Sequence, residues 1–471
     1  MRSRSLAAAA AAAVAVVVSP AGALSAPAAK APMAVVALID TGINPYNVAF
    51  RDRSALAYRH PSTYLPGYPK SAKALRVTLD VPYDVAMKRD ANIWKNVERG
   101  TLYWIPGTRI VGAISLGSGG TNCPVVPTPP ANAVGGSCTE HRILDDHGHG
   151  TMTASRAAGA PHSLAPTARI LEIEGLGAGS VRFAANAGWV DVQSNSWVSL
   201  QPPVAGVVGN DVTKAFAAAS TRTLTLAASG NGAAFSEGFA PTPTYLLSTA
   251  PAGVVLVGAH DNGKAALWSG APPHIVADGY AGWAAISTSS TDIRPDPIAC
   301  CTSAASPYAA GGATAIVLAA RRILRASGTG IHGGVVARGR AGLAKAGPLA
   351  DGVFTLDELR DVLLHTAEAR PAAGRDDGTI HWAGDPRAPD HPEFGPGANP
   401  FCVGCTTTPV PWTTVPEGSD IYAFVGYGAI NERSVALAAR VLAGSAALPA
   451  RSMEDGHYAA DQQLRTVVAP G

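Results

Sequence analysis

The chain lacks an excess of charge of either sign and has few charged residues for its length. Its 471 residues include 36 lysines and arginines against 34 aspartates and glutamates, a formal net charge of +2. Without a basic excess, nothing in the composition favours a nucleic-acid partner. Charged residues make up only 15% of the chain and hydrophobic residues 47%, which excludes a disordered protein and predicts a large buried core.

Long hydrophobic runs are missing after the N-terminus, so we predict no membrane span in the mature protein. The N-terminus itself carries Arg2 and Arg4, then the apolar segment LAAAAAAAVAVVV, then small residues. That segment is shorter than the roughly 20 residues that a membrane helix needs, which favours an export signal over an anchor helix. We predict a signal peptide over 1–28, cleaved after Ala23 or Ala28, and a secreted protein.

Cysteine is scarce, but an even count in an exported chain predicts disulfide bonds. The six are Cys123, Cys138, Cys300, Cys301, Cys402 and Cys405. Cys123 and Cys138 are the simplest pair, because they close a loop rich in proline and glycine. The C-x-x-C pair late in the chain predicts a small structural loop, whereas two adjacent cysteines are strained as a pair and each can reach elsewhere. The sequence leaves the pairing open.

Short runs rich in valine, leucine and isoleucine alternate with helix-like segments along much of the chain. The runs lack clean polar alternation, as do strands that are covered on both faces. They are AVVALI, RILEIEGL, VDVQSNSW, TLTLAASG and VVLVGAHD, with VRFAANAG and DVTKAFAAAS among the helix-like pieces between them. The alternation predicts an α/β domain with a mostly parallel sheet.

Three later segments predict helices from their caps and composition, and two other regions lack such patterns. The helical segments are SPYAAGGATAIVLAARRILRASG, TLDELRDVLLHTAEAR and NERSVALAARVLAG. Thr355 and Glu358 have the spacing of a capping box, and Gly444 is placed to end the last helix. The region 52–138 is polar, with several prolines and glycines, and predicts a long surface insertion; 447–471 predicts a loosely ordered tail.

The segment LIDTGINP places Asp40 after a hydrophobic run, as two unrelated protease chemistries do. In the first, two aspartates share a proton, so a single chain needs a second Asp-Thr-Gly or Asp-Ser-Gly, and this chain has none. In the second, an aspartate orients a histidine that activates a serine. His149 in His-Gly-Thr and Ser303 in Thr-Ser-Ala, just before an apolar helix, are the candidates for those two residues.

Together, these motifs resemble the subtilisin-like serine proteases, in which the triad has the order Asp, His, Ser. The resemblance runs through 33–446 and implies a three-layer fold in which a mostly parallel sheet has helices on both faces. It implies that Asn231, in AASGNGA, donates to the oxyanion. Ser196 and Trp197, in SNSW, resemble the segment that binds the substrate backbone.

The resemblance implies an endopeptidase that acts through an acyl-enzyme. Ser303 would attack the peptide carbonyl, His149 would carry the proton to the leaving amine, and Asp40 would fix the imidazole tautomer. We expect a protein or peptide substrate, a monomer, no cofactor and no metal.

Two alternatives remain open from the residues. Cys301 stands where the family usually has glycine, close to the nucleophile, and Met152, Ser155 and Ser306 also depart from the common pattern. These departures favour a catalytically inactive relative that binds peptides or partners. The histidines and aspartates around His149 could instead form the centre of a metal-dependent hydrolase.

Overall fold

The computed structural model describes the chain in twelve stretches. They are 32–117, 143–197, 211–230, 253–261, 264–266, 269, 273–279, 282–296, 301–339, 346–368, 382–383 and 426–450. All of them belong to one compact unit, Pro32–Gly471. The predicted signal peptide, the tail beyond 450 and every cysteine except Cys301 lie outside the described residues.

The described strands are short, and those of the core are formed by the valine-, leucine- and isoleucine-rich runs. In chain order they are β1 Val35–Asp40, β2 Lys73–Ala74, β3 Tyr103–Trp104, β4 Ile110–Ser115, β5 Arg169–Glu174, β6 Val192–Asn195, β7 Leu224–Ala228, β8 Val255–Asp261, β9 Lys264–Ala266, β10 Ile275–Asp278, β11 Trp283–Ala285, β12 Ile293–Pro295, β13 Val335–Val336, β14 Val353–Phe354, β15 Trp382–Ala383 and β16 Ala429–Ile430. All five runs predicted as strands are confirmed.

Five of the seven described α-helices agree with the caps and alternation in the sequence. The seven are α1 Tyr83–Lys95, α2 His149–Ala158, α3 Ala178–Asn186, α4 Asp211–Ser220, α5 Thr302–Ile323, α6 Leu356–Thr366 and α7 Glu432–Leu442. The capping box of Thr355 and Glu358 is present at the start of α6, and Gly444 follows α7 with a φ of +69°. No helix in these stretches has both the length and the apolarity to cross a membrane.

The central sheet is mostly parallel, and β1 lies in its middle. Its path runs β15-β9-β8-β7-β6-β1-β5-β4-β3-β2, and β10 joins β8 to β16. β1 pairs in parallel with β5 on one side and with β6 on the other. Asp40 ends β1, so it stands at the carboxyl edge of the central strands, where open α/β sheets place their functional residues.

Helices cover both faces of the sheet, which confirms the predicted three-layer α/β architecture. Alternate residues of β1 enter two different cores: Val36 and Leu38 face one, and Val35 and Ile39 face the other. The first core contains buried residues of α2, α5, α6 and α7. The second contains buried residues of α3 and α4. The continuous apolar sequence of β1 follows from this double coverage.

The described part of the predicted insertion, 52–117, is more regular than its composition predicts. It contains α1, β2 to β4 and short 3₁₀ turns at Ala55–Tyr58 and Pro61–Thr63. The phenol of Tyr46 donates to a carboxylate oxygen of Asp90 (2.8 Å) and accepts from the indole N–H of Trp94 (2.8 Å). These two residues of α1 fasten the insertion to the turn that follows Asp40.

Candidate active site

Asp40 is a buried carboxylate that three donors hold in place. The backbone N–H of Thr41 donates to Oδ1 (2.8 Å), and the hydroxyl of Thr153 donates to Oδ2 (3.1 Å). The third donor is the Nδ1–H of His149, which lies 2.6 Å from Oδ1. With its side chain 2% exposed, Asp40 has almost no water to rotate toward, so its orientation is fixed by the protein.

His149 is the first residue of α2, and its ring reaches back to the end of β1. Its side chain remains 24% exposed. Burial by itself lowers the pKa of this imidazole, but the charge and the hydrogen bond of Asp40 raise it, and the net pKa lies above the ordinary value. Asp40 therefore fixes the Nδ1–H tautomer and stabilises the imidazolium.

Asp145 joins the loop of Asp40 to the loop of His149. Its Oδ1 accepts from the hydroxyl of Thr41 (2.9 Å) and from the backbone N–H of Gly148 (2.8 Å), and its Oδ2 accepts from the N–H of Thr151 (2.7 Å). The first turn of α2 thus has a carboxylate on its free N–H groups, as a helix N-terminus favours. From sequence, this aspartate is a candidate metal ligand only, and its position four residues before His149 is the available signal for the role found here.

Two glycines allow these loops to touch. Gly42 has a φ of +113°, which only glycine adopts without strain, and a Cβ atom there would stand 2.6 Å from the carbonyl oxygen of Ile143. A Cβ atom on Gly150 would stand 2.0 Å from the carbonyl oxygen of Gly42. The Gly of Asp-Thr-Gly and the Gly of His-Gly-Thr therefore meet in space, backbone against backbone.

Ser303 is the second residue of α5 and is partly exposed. Its hydroxyl donates to the backbone carbonyl of Ser196 (3.1 Å), and within the described residues no hydrogen bond joins it to His149. The N-terminus of a 22-residue helix puts partial positive charge at this position. Cys301 caps the helix with a φ of +75° and a ψ of −170°, and it is disulfide-bonded.

The first turns of α2 and α5 pack together, which brings Ser303 to the side of the sheet that carries His149. Met152 of α2 and Ala304 of α5 belong to one small buried cluster with Ala284. On the other side of α5, the hydroxyls of Ser306 and Ser194 lie 3.3 Å apart. The strand β6 and both helices therefore converge at the carboxyl edge of the sheet.

The predicted substrate segment begins where β6 ends. Ser196 presents its carbonyl to Ser303, as described above, and its side chain is buried. The ring of Trp197 lies 5.6 Å from that of Phe216, centroid to centroid, with the planes tilted by 42°. Trp197 thus rests on α4 beside the site; its contact with substrate stays a prediction.

Asn231 lies outside the described residues, so its oxyanion role also stays a prediction. The described chain stops one residue earlier, at Gly230, after β7. β7 lies beside β6 in parallel register, so its carboxyl end opens onto the same edge of the sheet as Ser196.

His147 stands beside His149 in the histidine–aspartate cluster. The rings of His147 and His149 stand edge to face with their centroids 6.2 Å apart. Burial, followed by the nearby His149, lowers the pKa of His147. In the stretches that the structure describes, no three His, Cys, Asp or Glu side chains converge as metal ligands do.

Comparisons with known proteins agree with the motifs. The subtilase family model, Peptidase_S8, matches residues 32–381, most of the chain. No curated protein sequence matches the chain significantly.

Several solved structures are similar at low identity. The prenylagaramide maturation protease PagA is 18% identical over 62% of this chain and 77% of its own, with a TM-score of 0.33. The epidermin leader peptide processing serine protease EpiP from Staphylococcus aureus is 14% identical over 88% and 76%, with a TM-score of 0.42. A cold adapted subtilisin-like serine proteinase is 14% identical over 61% and 76%, with a TM-score of 0.34. Similarities this distant carry no inference about substrate.

Proposed function

The chain belongs to the subtilase family of serine-type peptidases, and we propose that it is an active endopeptidase whose triad is Asp40, His149 and Ser303. The observation that supports this most directly is the 2.6 Å hydrogen bond between Asp40 and Nδ1 of His149. A buried carboxylate on Nδ1 leaves Nε2 as the acceptor nitrogen, which is the form that a general base needs.

The proposed reaction passes through an acyl-enzyme. Oγ of Ser303 attacks the peptide carbonyl while His149 takes the hydroxyl proton, and the carbonyl π electrons move to the oxygen. His149 then gives that proton to the leaving amine, and the C–N bond breaks. Water, deprotonated by His149, then attacks the ester. The bond between the acyl carbon and Oγ of Ser303 breaks, His149 returns the proton to Oγ, and the acid leaves. The Ser303 N–H, and Asn231 by family resemblance, hold the oxyanion.

The hydroxyl of Ser303 must rotate for this chemistry, because in the absence of substrate it donates to Ser196. Catalytic hydrogen bonds are often long or misaligned in free enzymes and tighten when substrate binds. A peptide bound along Ser196 would compete for that carbonyl and release the hydroxyl toward His149.

The same Ser303–Ser196 hydrogen bond favours a second candidate function, an inactive relative that binds peptides. In that case the hydroxyl would remain on the Ser196 carbonyl and the cleft would serve as a binding groove. Cys301 supports this candidate as well, since it holds a backbone conformation that glycine adopts far more readily.

Covalent labelling by a serine-reactive phosphonate separates the two candidates. We expect the folded wild type to be labelled and to cleave an unstructured protein such as casein. Ser303→Ala should abolish both, and His149→Ala should slow labelling by several orders of magnitude. Folded wild-type protein that is neither labelled nor cleaves casein would overturn the endopeptidase proposal.

We also propose that the protein is exported and acts as a monomer on proteins or peptides outside the cell. The export part of this proposal is supported by the basic and apolar N-terminal segment and by the even number of cysteines. N-terminal sequencing of the protein secreted by an expressing host is expected to begin after Ala23 or Ala28. Retention of residues 1–28 in a cell-associated protein would contradict it.

A further inference from the structure

Arg156 lies two turns after His149 on α2 and is buried, with its side chain only 4% exposed. The sequence predicts no role for it. Burying a guanidinium destabilises the folded protein unless its N–H groups are paired. The partners of Arg156 therefore constrain the position of α2. Among the described residues, its partners lie at the end of β10 and in the first two turns of α5.

The first partner is the end of β10. Nη2 of Arg156 donates to the side-chain Oδ2 of Asp278 (2.8 Å) and to the backbone carbonyl of the same residue (2.5 Å). Gly282 leaves room for the guanidinium, because a Cβ atom there would stand 2.1 Å from Nη1. An aspartate and a glycine more than 120 residues away along the chain are thus matched to this arginine.

The second partner is α5 itself. Nε of Arg156 lies 3.5 Å from the carbonyl oxygen of Ala304, the residue after Ser303. The guanidinium carbon lies 4.5 Å from the centroid of the Tyr308 ring, within the range of a cation–π contact. The arginine therefore touches the first and second turns of the helix that carries the nucleophile.

Asp278 extends this connection to the residue that caps α5. The next residue, Gly279, accepts a hydrogen bond from the N–H of Cys301 at 2.5 Å. A Cβ atom on Gly279 would stand 2.8 Å from the carbonyl oxygen of Cys301. Arg156 is thus hydrogen-bonded to Asp278, and the next residue, Gly279, is hydrogen-bonded to Cys301. These bonds connect the arginine to the segment that begins two residues before Ser303.

We propose that Arg156 is a positioning residue that sets the placement of Ser303 relative to His149, by fixing α2 to the start of α5 and to the end of β10. This inference rests on the proposed function. Elsewhere α2 and α5 meet through apolar and backbone contacts, as where Met152 packs with Ala304 and where Gly311 of α5 packs on the carbonyl of Ala157. Such contacts permit close approach but set direction weakly, whereas a planar fork with three partners is directional.

The test compares Arg156→Met with a second buried arginine in an ion pair. Arg321 is 2% exposed and pairs with Asp191 through two hydrogen bonds of 2.8 and 2.6 Å, at the far end of α5. We expect both Arg156→Met and Arg321→Met to lower the melting temperature. Only Arg156→Met is expected to lower kcat, by about 10–100-fold with KM little changed, because small misplacements of reacting groups are that costly.

A milder pair of variants guards against a failure to fold. Arg156→Lys keeps the charge but loses the fork, and Asp278→Asn keeps the carbonyl partner but loses the carboxylate. Each is expected to show a smaller loss of kcat than Arg156→Met, at a temperature where circular dichroism shows the protein to be folded. Folded variants with wild-type kcat, or an equal kcat loss in Arg321→Met, would overturn the inference.

Hydrogen exchange provides a readout that does not depend on activity. The amides of Cys301, Ala304 and Ala305 are hydrogen-bonded at the start of α5. Their exchange is expected to be faster in Arg156→Met and unchanged in Arg321→Met; equal exchange in wild type and Arg156→Met would refute the inference. If wild type itself cleaves nothing, the proposed function fails, and the exchange data still decide whether Arg156 holds this segment.

Discussion

Glu172 of β5 lies opposite Leu38 of β1, two residues before that strand reaches Asp40. Paired residues of neighbouring strands point to the same face of a sheet, so this carboxyl group stands on the face that carries Asp40. It is completely buried. Burial raises the pKa of Glu172 well above its ordinary value, and the negative charges of Asp40 and Asp145 raise it further.

We expect Glu172→Gln to stabilise the protein at neutral and alkaline pH and to change little in acid. The folded state binds the Glu172 proton more tightly than the unfolded state, so wild-type stability falls as pH rises from the ordinary glutamate pKa through the raised one. Glutamine has a similar shape, and its amide does not ionise in this pH range. Thermal melts from about pH 4 to about pH 9 measure the difference; a difference that is constant with pH would contradict the prediction.

Cys301→Gly is expected to be more stable than Cys301→Ala by about 1–3 kcal/mol. Both variants lose the disulfide equally, and they differ at the φ of +75° and ψ of −170° that position 301 adopts, a region essentially reserved for glycine. Chemical unfolding of the two variants under the same conditions measures the gap. Equal stabilities would mean that the backbone relaxes once the disulfide is removed.

Most of the regular elements around the site could be predicted from local sequence. The five apolar runs became strands because both faces of the sheet are covered, and the capping box of Thr355 and Glu358 begins α6 where the spacing predicts. Asp40 and His149 could be proposed as partners because each lies in a short motif. The 2.6 Å hydrogen bond between them joins residues 109 positions apart in the sequence. Only the order of the motifs indicates this contact.

Two features could not be predicted, for different reasons. Helix α1 buries Ala86, Asp90 and Trp94, a narrow stripe with a carboxylate at its centre, so its hydrophobic periodicity is weak. The contacts of Arg156 with Asp278 join segments more than 120 residues apart, and neither residue lies in a recognisable motif. Tertiary pairing of this kind leaves no local pattern.

Asn231→Ala is expected to lower kcat by about 10²–10³ and to leave KM nearly unchanged. An oxyanion donor acts mainly in the transition state, so its loss reduces kcat and kcat/KM together. Steady-state kinetics on a peptide substrate measure both parameters. A raised KM with unchanged kcat would place Asn231 in ground-state binding instead.

Asp40→Asn is expected to lower kcat by a factor on the order of 10⁴ and to move the acid limb of the residual activity to lower pH. Protonated His149 cannot accept the proton of Ser303, so wild-type activity should rise as pH passes through the raised pKa of His149. Asp40 is the group that raises this pKa, and its removal lets the imidazole lose its proton at lower pH.

The matched control for this prediction is Thr153→Val. It removes the hydroxyl that donates to Asp40 (3.1 Å) but keeps the carboxylate. Its pH profile should stay near that of wild type, with a much smaller loss of kcat. The measurement is kcat/KM against pH for all three proteins. An acid limb that stays in place or moves to higher pH in Asp40→Asn would show that another group sets the ionisation of the base.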